Sequence, residues 1–234
     1  MLFKSDNYDV AFVKENMMGP NSLRIVAELS ESIKLEKGMR VLDLGCGRGL
    51  TSIFLAKEYG VTVFATDLWI SVTDNYERIK VMGLEDKIVP IRAEAHNLPF
   101  AIEFFDVAIS IDAYHYFGVE ADYLTNYFAP LVKKGGQIGV AVPGLKKEFT
   151  TGVPAELLPY WVDDMNFHSC EWWSNLWKTS DLVTIKECRE MKCFNEAWQD
   201  WLSCDNEYAR GDIGMMNAEG GKHFNLVSII ANRL

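Results

Sequence analysis

An α/β fold, with a mostly parallel sheet and helices packed on both of its faces, is what this sequence predicts, and three features predict it. Residues 41–44, Val-Leu-Asp-Leu, form a short β-prone run of the kind buried on both sides of a parallel sheet. They lead into Gly45-Cys46-Gly47-Arg48-Gly49, a turn whose glycines admit positive φ and close backbone approach before a helix opens at Leu50. A second β-branched run, 61–66, follows that helix and ends in Asp67, so strand and helix alternate as in a doubly wound sheet.

The alternation continues along the chain. Within 50–59, Leu50, Ile53, Phe54 and Lys57 keep three- and four-residue spacing, with the apolar members on one face. Residues 69–82 interleave Asn75, Glu77, Arg78 and Lys80 with Val72, Tyr76 and Ile79, an amphipathic helix closed by Gly83. Strands are expected at 87–92, 106–110 and 137–142. The last of these follows a helix over 123–132 and a Lys133-Lys134-Gly135-Gly136 turn, and Pro143-Gly144 ends it. Residues 182–188 and 224–231 supply two more strands. No repeat, low-complexity tract or linker marks a second domain, so 1–234 reads as one.

Composition narrows the function classes. The chain has 234 residues, 49% hydrophobic, enough for a sizeable core and for a substrate cover beyond a minimal nucleotide-binding unit. A formal net charge of -10 argues against a nucleic-acid partner, because proteins that grip a phosphate backbone present a basic face to it. The basic pairs Lys133-Lys134 and Lys146-Lys147 read as solvated loop charges. Five cysteines without a Cys-x-x-Cys pair, no secretory h-region in residues 1–10, and no apolar run of the ~18–20 residues a bilayer needs lead to the expectation of a soluble, cytoplasmic protein without a membrane span. His96, His115, His168 and His223 share no ligand spacing, so no metal site is expected. Oligomeric state is not legible.

The glycine turn alone admits two readings, a tight strand-to-helix connection or the wall of a nucleotide-like cofactor site. Asp67 favours the second, because it stands about 20 residues past the turn, where a carboxylate accepts the hydroxyls of a ribose. The Gly-x-Gly-x-Gly spacing departs from the Gly-x-Gly-x-x-Gly of dinucleotide sites, and Asp43 just before it suits an amine better than a pyrophosphate.

Residues 41–49, Asp67, the later Glu94-Ala95-His96-Asn97-Leu98-Pro99-Phe100 and Phe105-Asp106-Val107 resemble the class I S-adenosylmethionine-dependent methyltransferases, over about residues 38 to 143. The resemblance implies a Rossmann-like, seven-stranded, mostly parallel sheet whose last strand is antiparallel and inserts beside the fifth. It implies S-adenosylmethionine as cofactor and S-adenosylhomocysteine as product. Asp67 would hold the ribose, Leu68 and Trp69 would pack on the adenine, and Glu94, where the family usually has Asp, would accept from the adenine amine while the Ala95 N–H serves a ring nitrogen. Gly45 and Gly47 would admit the methionine moiety, with Cys46 a small residue beneath it rather than a reactive thiol. Asp43 would order that loop or take the tail's ammonium through water. Ser110 would face the methionine end with its carbonyl, or simply cap its strand. Met18 lies in an N-terminal segment that family members often fold over the cofactor, and is either a contact or core packing.

The acceptor side falls at 110–118, Ser-Ile-Asp-Ala-Tyr-His-Tyr-Phe-Gly, because strand ends at the carboxyl edge of such a sheet line the crevice. His115 is the candidate general base, with Tyr114 or Asp112 to orient it; the alternative is a histidine that only caps or packs. The segment also resembles the Ser-Ile-Gly-x-Phe-Glu-His-x-Gly stretch of the cyclopropane fatty acid synthase branch. His115 replaces that branch's Glu and Tyr116 its His, which favours methyl transfer to a small N, O or S nucleophile over lipid cyclopropanation; a non-catalytic cofactor-binding module is the other alternative. Two covers are expected: a helical one at 1–36, broken at Gly19-Pro20, and an aromatic one at 145–180 and 192–222, which together carry six of the seven tryptophans. The aromatic segments are either helices packing on the sheet or a pocket wall for an apolar, aromatic or cationic amine acceptor, charged by Asp163, Asp164 and Glu171.

Overall fold

A computed structural model describes residues 8–162 and 164–234. Residues 1–7, the start of the expected N-terminal cover, and Asp163, one of the acids expected in the aromatic cover, lie outside the described residues. In chain order the elements are α1 (Val10–Asn16), α2 (Ser22–Ser30), β1 (Arg40–Leu44), α3 (Leu50–Tyr59), β2 (Thr62–Asp67), α4 (Val72–Val81), β3 (Ile88–Arg92) and β4 (Phe105–Ile111). They continue with β5 (Val132–Leu145), α5 (Cys170–Trp177), β6 (Val183–Glu190), α6 (Phe194–Leu202), α7 (Glu207–Glu219) and β7 (Phe224–Arg233).

The seven strands form one sheet in the order β3-β2-β1-β4-β5-β7-β6. β1 to β5 pair in parallel, and β7 runs antiparallel between β5 and β6, as the resemblance implied. Strand order reverses between β1 and β4, so a crevice opens outside their carboxyl ends, where ligands of open α/β sheets bind.

Alternation along the strands feeds two apolar layers. Val41 and Val107 face a layer with Ile25, Leu29, Ile53 and Trp201, whereas Leu42 and Ala108 face a layer with Tyr114, Phe128, Trp173 and Trp177. Each such side chain contributes about 1.5–3 kcal/mol on burial, so both faces of the sheet are held by helices or turns.

Element boundaries move where local hydrogen bonding overrides periodicity. The helix expected from residue 69 begins at Val72, because Asp67 Oδ1 accepts from the Trp69 and Ile70 N–H groups (2.8 and 3.0 Å) and holds 68–70 in a turn. The helix expected over 123–132 is only a π turn, Leu124–Phe128, followed by a 3₁₀ turn, Ala129–Leu131, where Pro130 lacks an N–H. The Lys133–Gly136 turn is instead a bulge inside β5: Val132 pairs with Phe105 and Gln137 with Val107, leaving the residues between unmatched. Nor does Pro143 end that strand. β4 stops at Ile111, opposite Ala141, and Pro143 lies beyond it with β7 as its neighbour, an edge on which a missing N–H is tolerated.

Among the described residues no helix is long and apolar enough to cross a membrane, and no group of three or more His, Cys, Asp or Glu could hold a metal ion.

Candidate active site

Three strand ends and one glycine turn build the site. The Gly45 and Cys46 N–H groups both donate to Thr66 O, at 2.8 and 3.1 Å, which ties the turn after β1 to the end of β2. Gly45 has φ +75°, and a Cβ there would lie 2.3 Å from Ala113 Cβ. Gly47 has φ +52°, and a Cβ there would approach Met18 Sδ to 3.1 Å. Both positions favour glycine for backbone sign, and Gly45 requires it for space as well.

Beneath the turn, Asp43 is fully buried and its Oδ2 accepts from Thr51 Oγ1 (2.5 Å) and Ser52 Oγ (2.6 Å), which fastens β1 to the first turn of α3. Burial lifts its carboxyl to about 6 against the pull of those two hydroxyls. Asp67 closes the turn from the other side: Oδ2 accepts from the Gly47 N–H at 2.8 Å while Oδ1 holds 68–70.

These pieces enclose a cavity of about 360 Å³, lined by residues 18–20, 44–48, 66–69, 93–96, 111–113 and 116–117 with a few neighbours from α1 to α3. The volume sits at the lower end of the ~300–1,000 Å³ typical of small-molecule sites. Residues 41–136 match the protein family described as "Methyltransferase domain". Over this stretch the chain is similar to S-adenosylmethionine-dependent methyltransferases, as the sequence motifs implied.

Methyltransferase GfsG of Streptomyces halstedii is 29% identical over 119 residues, 50% of this chain and 42% of that protein. The chain spans about half or less of the curated relatives it matches. A geranyl diphosphate methyltransferase solved in complex with SAM superposes with a TM-score of 0.72 at 15% identity, covering 91% of this chain and 86% of that one. The [4+2]-cyclase SpnF superposes at 0.71 and 15% identity over 97% and 94% of the two chains. At such identities the likeness is one of fold.

Nine of the residues expected at the cofactor meet in the cavity wall. Met18, Gly45, Cys46 and Gly47 form one side, and Asp67, Leu68, Trp69, Glu94 and Ala95 the other. Burial pushes the Cys46 thiol well up, in keeping with a packed residue rather than a nucleophile. Glu94 does not stand free: Oε1 meets His96 Nδ1 at 2.8 Å, and His96 Nε2 meets Glu120 at 3.1 Å. The Glu94 hydrogen bond raises the imidazole's pKa, and His96 in turn holds the Glu94 carboxyl low.

Four expected site residues do not reach the wall. Asp43 lies one layer below, and Ser110 spends its hydroxyl on Leu44 O at 2.7 Å within the sheet. Tyr114 points through to the opposite apolar layer, ringed by Trp173, Trp177, Tyr123 and Phe128. His115 is 3% exposed and packs on Tyr116 and Phe167. Burial lowers its imidazole to about 4, so it is neutral at pH 7 but weakly basic. The aromatic cover is likewise absent from the wall, where Trp69 is the sole tryptophan, because α5 packs Trp173 and Trp177 onto the far face and α6 turns Trp198 and Trp201 inward.

Among the other wall residues, Arg48 and Tyr116 had no expected cofactor or catalytic role, and Asp112 was expected only to orient His115. Arg48, whose Nη1 donates to Glu15 O at 2.6 Å, is the one Lys or Arg of the described residues in the lining. Tyr116 meets Trp69 edge-on, with ring centroids 5.7 Å apart. Asp112 stands at the end of β4 with φ +54° and lines the cavity. A carboxylate at the carboxyl edge of a central strand is the signal that marks it, and left-handed backbone is tolerated by Asp better than by most residues.

Proposed function

We propose that this chain binds S-adenosylmethionine in the cavity and transfers its methyl group to an N, O or S atom of a small molecule. The observation that carries the reading is the convergence of Gly45, Gly47, Asp67, Trp69, Glu94 and Ala95, contributed by separate strand ends, on one cavity. The residues present fit the cofactor. Gly45 and Gly47 pack against Ala113 and Met18 without a Cβ, and both line the cavity, where their backbone can meet an amino acid tail. A carboxylate has about four acceptor positions, and Asp67 uses three on backbone N–H groups, leaving room for a ribose hydroxyl. Leu68 and Trp69, held in their turn by Asp67, offer apolar faces to an adenine ring.

When bound, the cofactor supplies an electrophilic methyl on sulfonium. The chain's own part is alignment and exclusion of water, since an in-line displacement at carbon gains chiefly from fixed geometry. The negative net charge and the modest cavity volume support a small-molecule acceptor over a nucleic acid.

Calorimetric titration with S-adenosylhomocysteine, followed by incubation of the full chain with methyl-labelled S-adenosylmethionine and a mixed panel of amines, phenols and thiols, tests the reading. Micromolar product binding and label transfer to at least one acceptor are expected. Binding without transfer would reduce the chain to a cofactor-binding module, and no binding would end the proposal.

A further inference from the structure

The cavity contains a titratable group that cofactor binding does not use. Asp112 follows directly from the central strand β4, and its carboxylate accepts no hydrogen bond from any described residue. Its position is built. The backbone holds φ +54°, the Asp112 N–H donates to Ala141 O at 2.8 Å, and the carboxylate occupies the space beside Gly19, where a Cβ would fall 2.3 Å from Oδ2. A left-handed residue with a free carboxylate inside a ligand cavity is strain retained at a site rather than relaxed.

The charges that act on Asp112 and on its neighbour Tyr116 carry one sign. Asp212 of α7 is the charge that weighs on Asp112, and Asp112, Asp164 and Asp212 together act on the neighbouring Tyr116 hydroxyl. Asp212 is itself pinned by the Trp201 Nε1–H at 2.8 Å. Tyr116 presents its ring to the same cavity, next to Trp69. An anionic acceptor would meet repulsion here. A cation would meet an unpaired carboxylate and an aromatic face, the two groups that attract an ammonium.

We propose that the methyl acceptor is an amine, and that Asp112 is a catalytic residue that binds its ammonium and takes the proton that must leave before methyl transfer. The inference rests on the methyltransferase reading and names its acceptor class. R–NH3⁺ gives one proton to the Asp112 carboxylate and becomes R–NH2. The nitrogen lone pair then forms the N–C bond as the C–S bond breaks with its electrons to sulfur, leaving R–NH2⁺–CH3, neutral thioether and a carboxylic acid. Asp112 returns its proton to solvent when the products leave. Desolvation, with Asp212 adding to it, holds the Asp112 carboxyl up to about 8, which narrows the gap to an alkylammonium and makes the transfer easier. His115, next to Tyr116 but outside the wall, is not required.

The test uses the full chain. Its S-adenosylhomocysteine complex is titrated with ethanolamine, histamine and tyramine and with the matched alcohols and thiols, read by tryptophan fluorescence. Label transfer is followed from pH 6 to 10. Saturable binding and methylation of amines only are expected, with kcat/KM bell-shaped in pH: the rising limb belongs to Asp112 and the falling limb to loss of the ammonium. Asp112→Asn should cost about 100-fold or more in kcat/KM and convert the bell into a simple rise with the neutral amine, while the Kd for S-adenosylhomocysteine stays within about threefold. Asp112→Glu should restore a bell with shifted limbs.

Retained amine turnover and an unchanged pH profile in the Asn variant would overturn the assignment. So would methylation of an alcohol or thiol but no amine by the native chain, or the absence of saturable amine binding, even with the product bound tightly. Failure to bind S-adenosylhomocysteine at all would remove the methyltransferase reading itself. If the Asn variant does not fold by circular dichroism, acceptor choice in the native chain and the profile of the Glu variant decide.

Discussion

Gly45 and His115 mark the two ways a residue in this chain can matter to the site. Gly45 touches it directly, with φ +75° and Ala113 Cβ where a side chain would go. Gly45→Ala should therefore weaken S-adenosylhomocysteine at least about tenfold in a calorimetric titration, because the strained turn costs about 1–3 kcal/mol and its relief moves the backbone away from the ligand. His115 packs behind the site, with its backbone carbonyl accepting from Asn166 Nδ2 at 3.1 Å. His115→Ala should lower the melting temperature yet leave kcat with a responsive acceptor within about tenfold, short of the loss that follows removal of a true base. The places of the glycines and Asp67 in the cavity wall were legible in sequence because a turn at a strand end constrains residue type at fixed spacing. The placements of His115, Tyr114 and Asp112 were not. After β4 the chain enters a tight 3₁₀ turn at Tyr114–Tyr116, and its geometry, which no periodicity reports, decides which of five consecutive side chains faces the crevice.

At the scale of elements, α3 and α5 separate the site from its support. α3 is fastened to β1 through Asp43, Thr51 and Ser52, so Ser52→Ala should destabilise the fold by about 1.5–3 kcal/mol in urea, the usual range for a hydrogen bond to a charged group. α5 carries Trp173 and Trp177 against the far side of the sheet. Trp173→Ala should cost about 3–5 kcal/mol of stability and leave cofactor-product affinity unchanged at temperatures where the variant is folded. An aromatic substrate wall at α5 would give the opposite pattern, a changed acceptor KM with modest loss of stability. The strands and α3 were readable because two buried faces impose an apolar period. The start of α4 was not, since the Asp67 carboxylate takes two N–H groups that helical spacing alone would have assigned to the helix, and the extension of β5 depended on where β4 stops.

Across the whole molecule, the desolvated acids and the buried histidine give stability a pH dependence that can be worked out by sign. Asp43 and Asp112 have folded carboxyls held at about 6 and about 8, above the unfolded value near 3.9, so the native state binds more protons than the unfolded chain across those intervals. Each therefore lowers stability as pH rises through its interval. His115, lowered to about 4, does the reverse: between about 4 and 6.5 the unfolded chain binds the extra proton and stability rises with pH. Below about pH 6 these effects oppose one another. From about 6.5 to 8 the opposition is gone, and Asp112 drives stability down, joined by the partly exposed His96, whose ion pair with Glu94 fades as it deprotonates and is weakened by solvent screening. The melting temperature should thus fall between pH 6.5 and 8.5 in the native chain. Asp112→Asn should flatten most of that fall and melt above the native chain at pH 8.5, by about 2–4 °C for each kcal/mol of buried-charge cost removed, with the difference shrinking toward pH 4. Equal melting temperatures of the two proteins at pH 8.5 would mean that the carboxylate is well solvated there and that its site is more open than its position beside Gly19 implies.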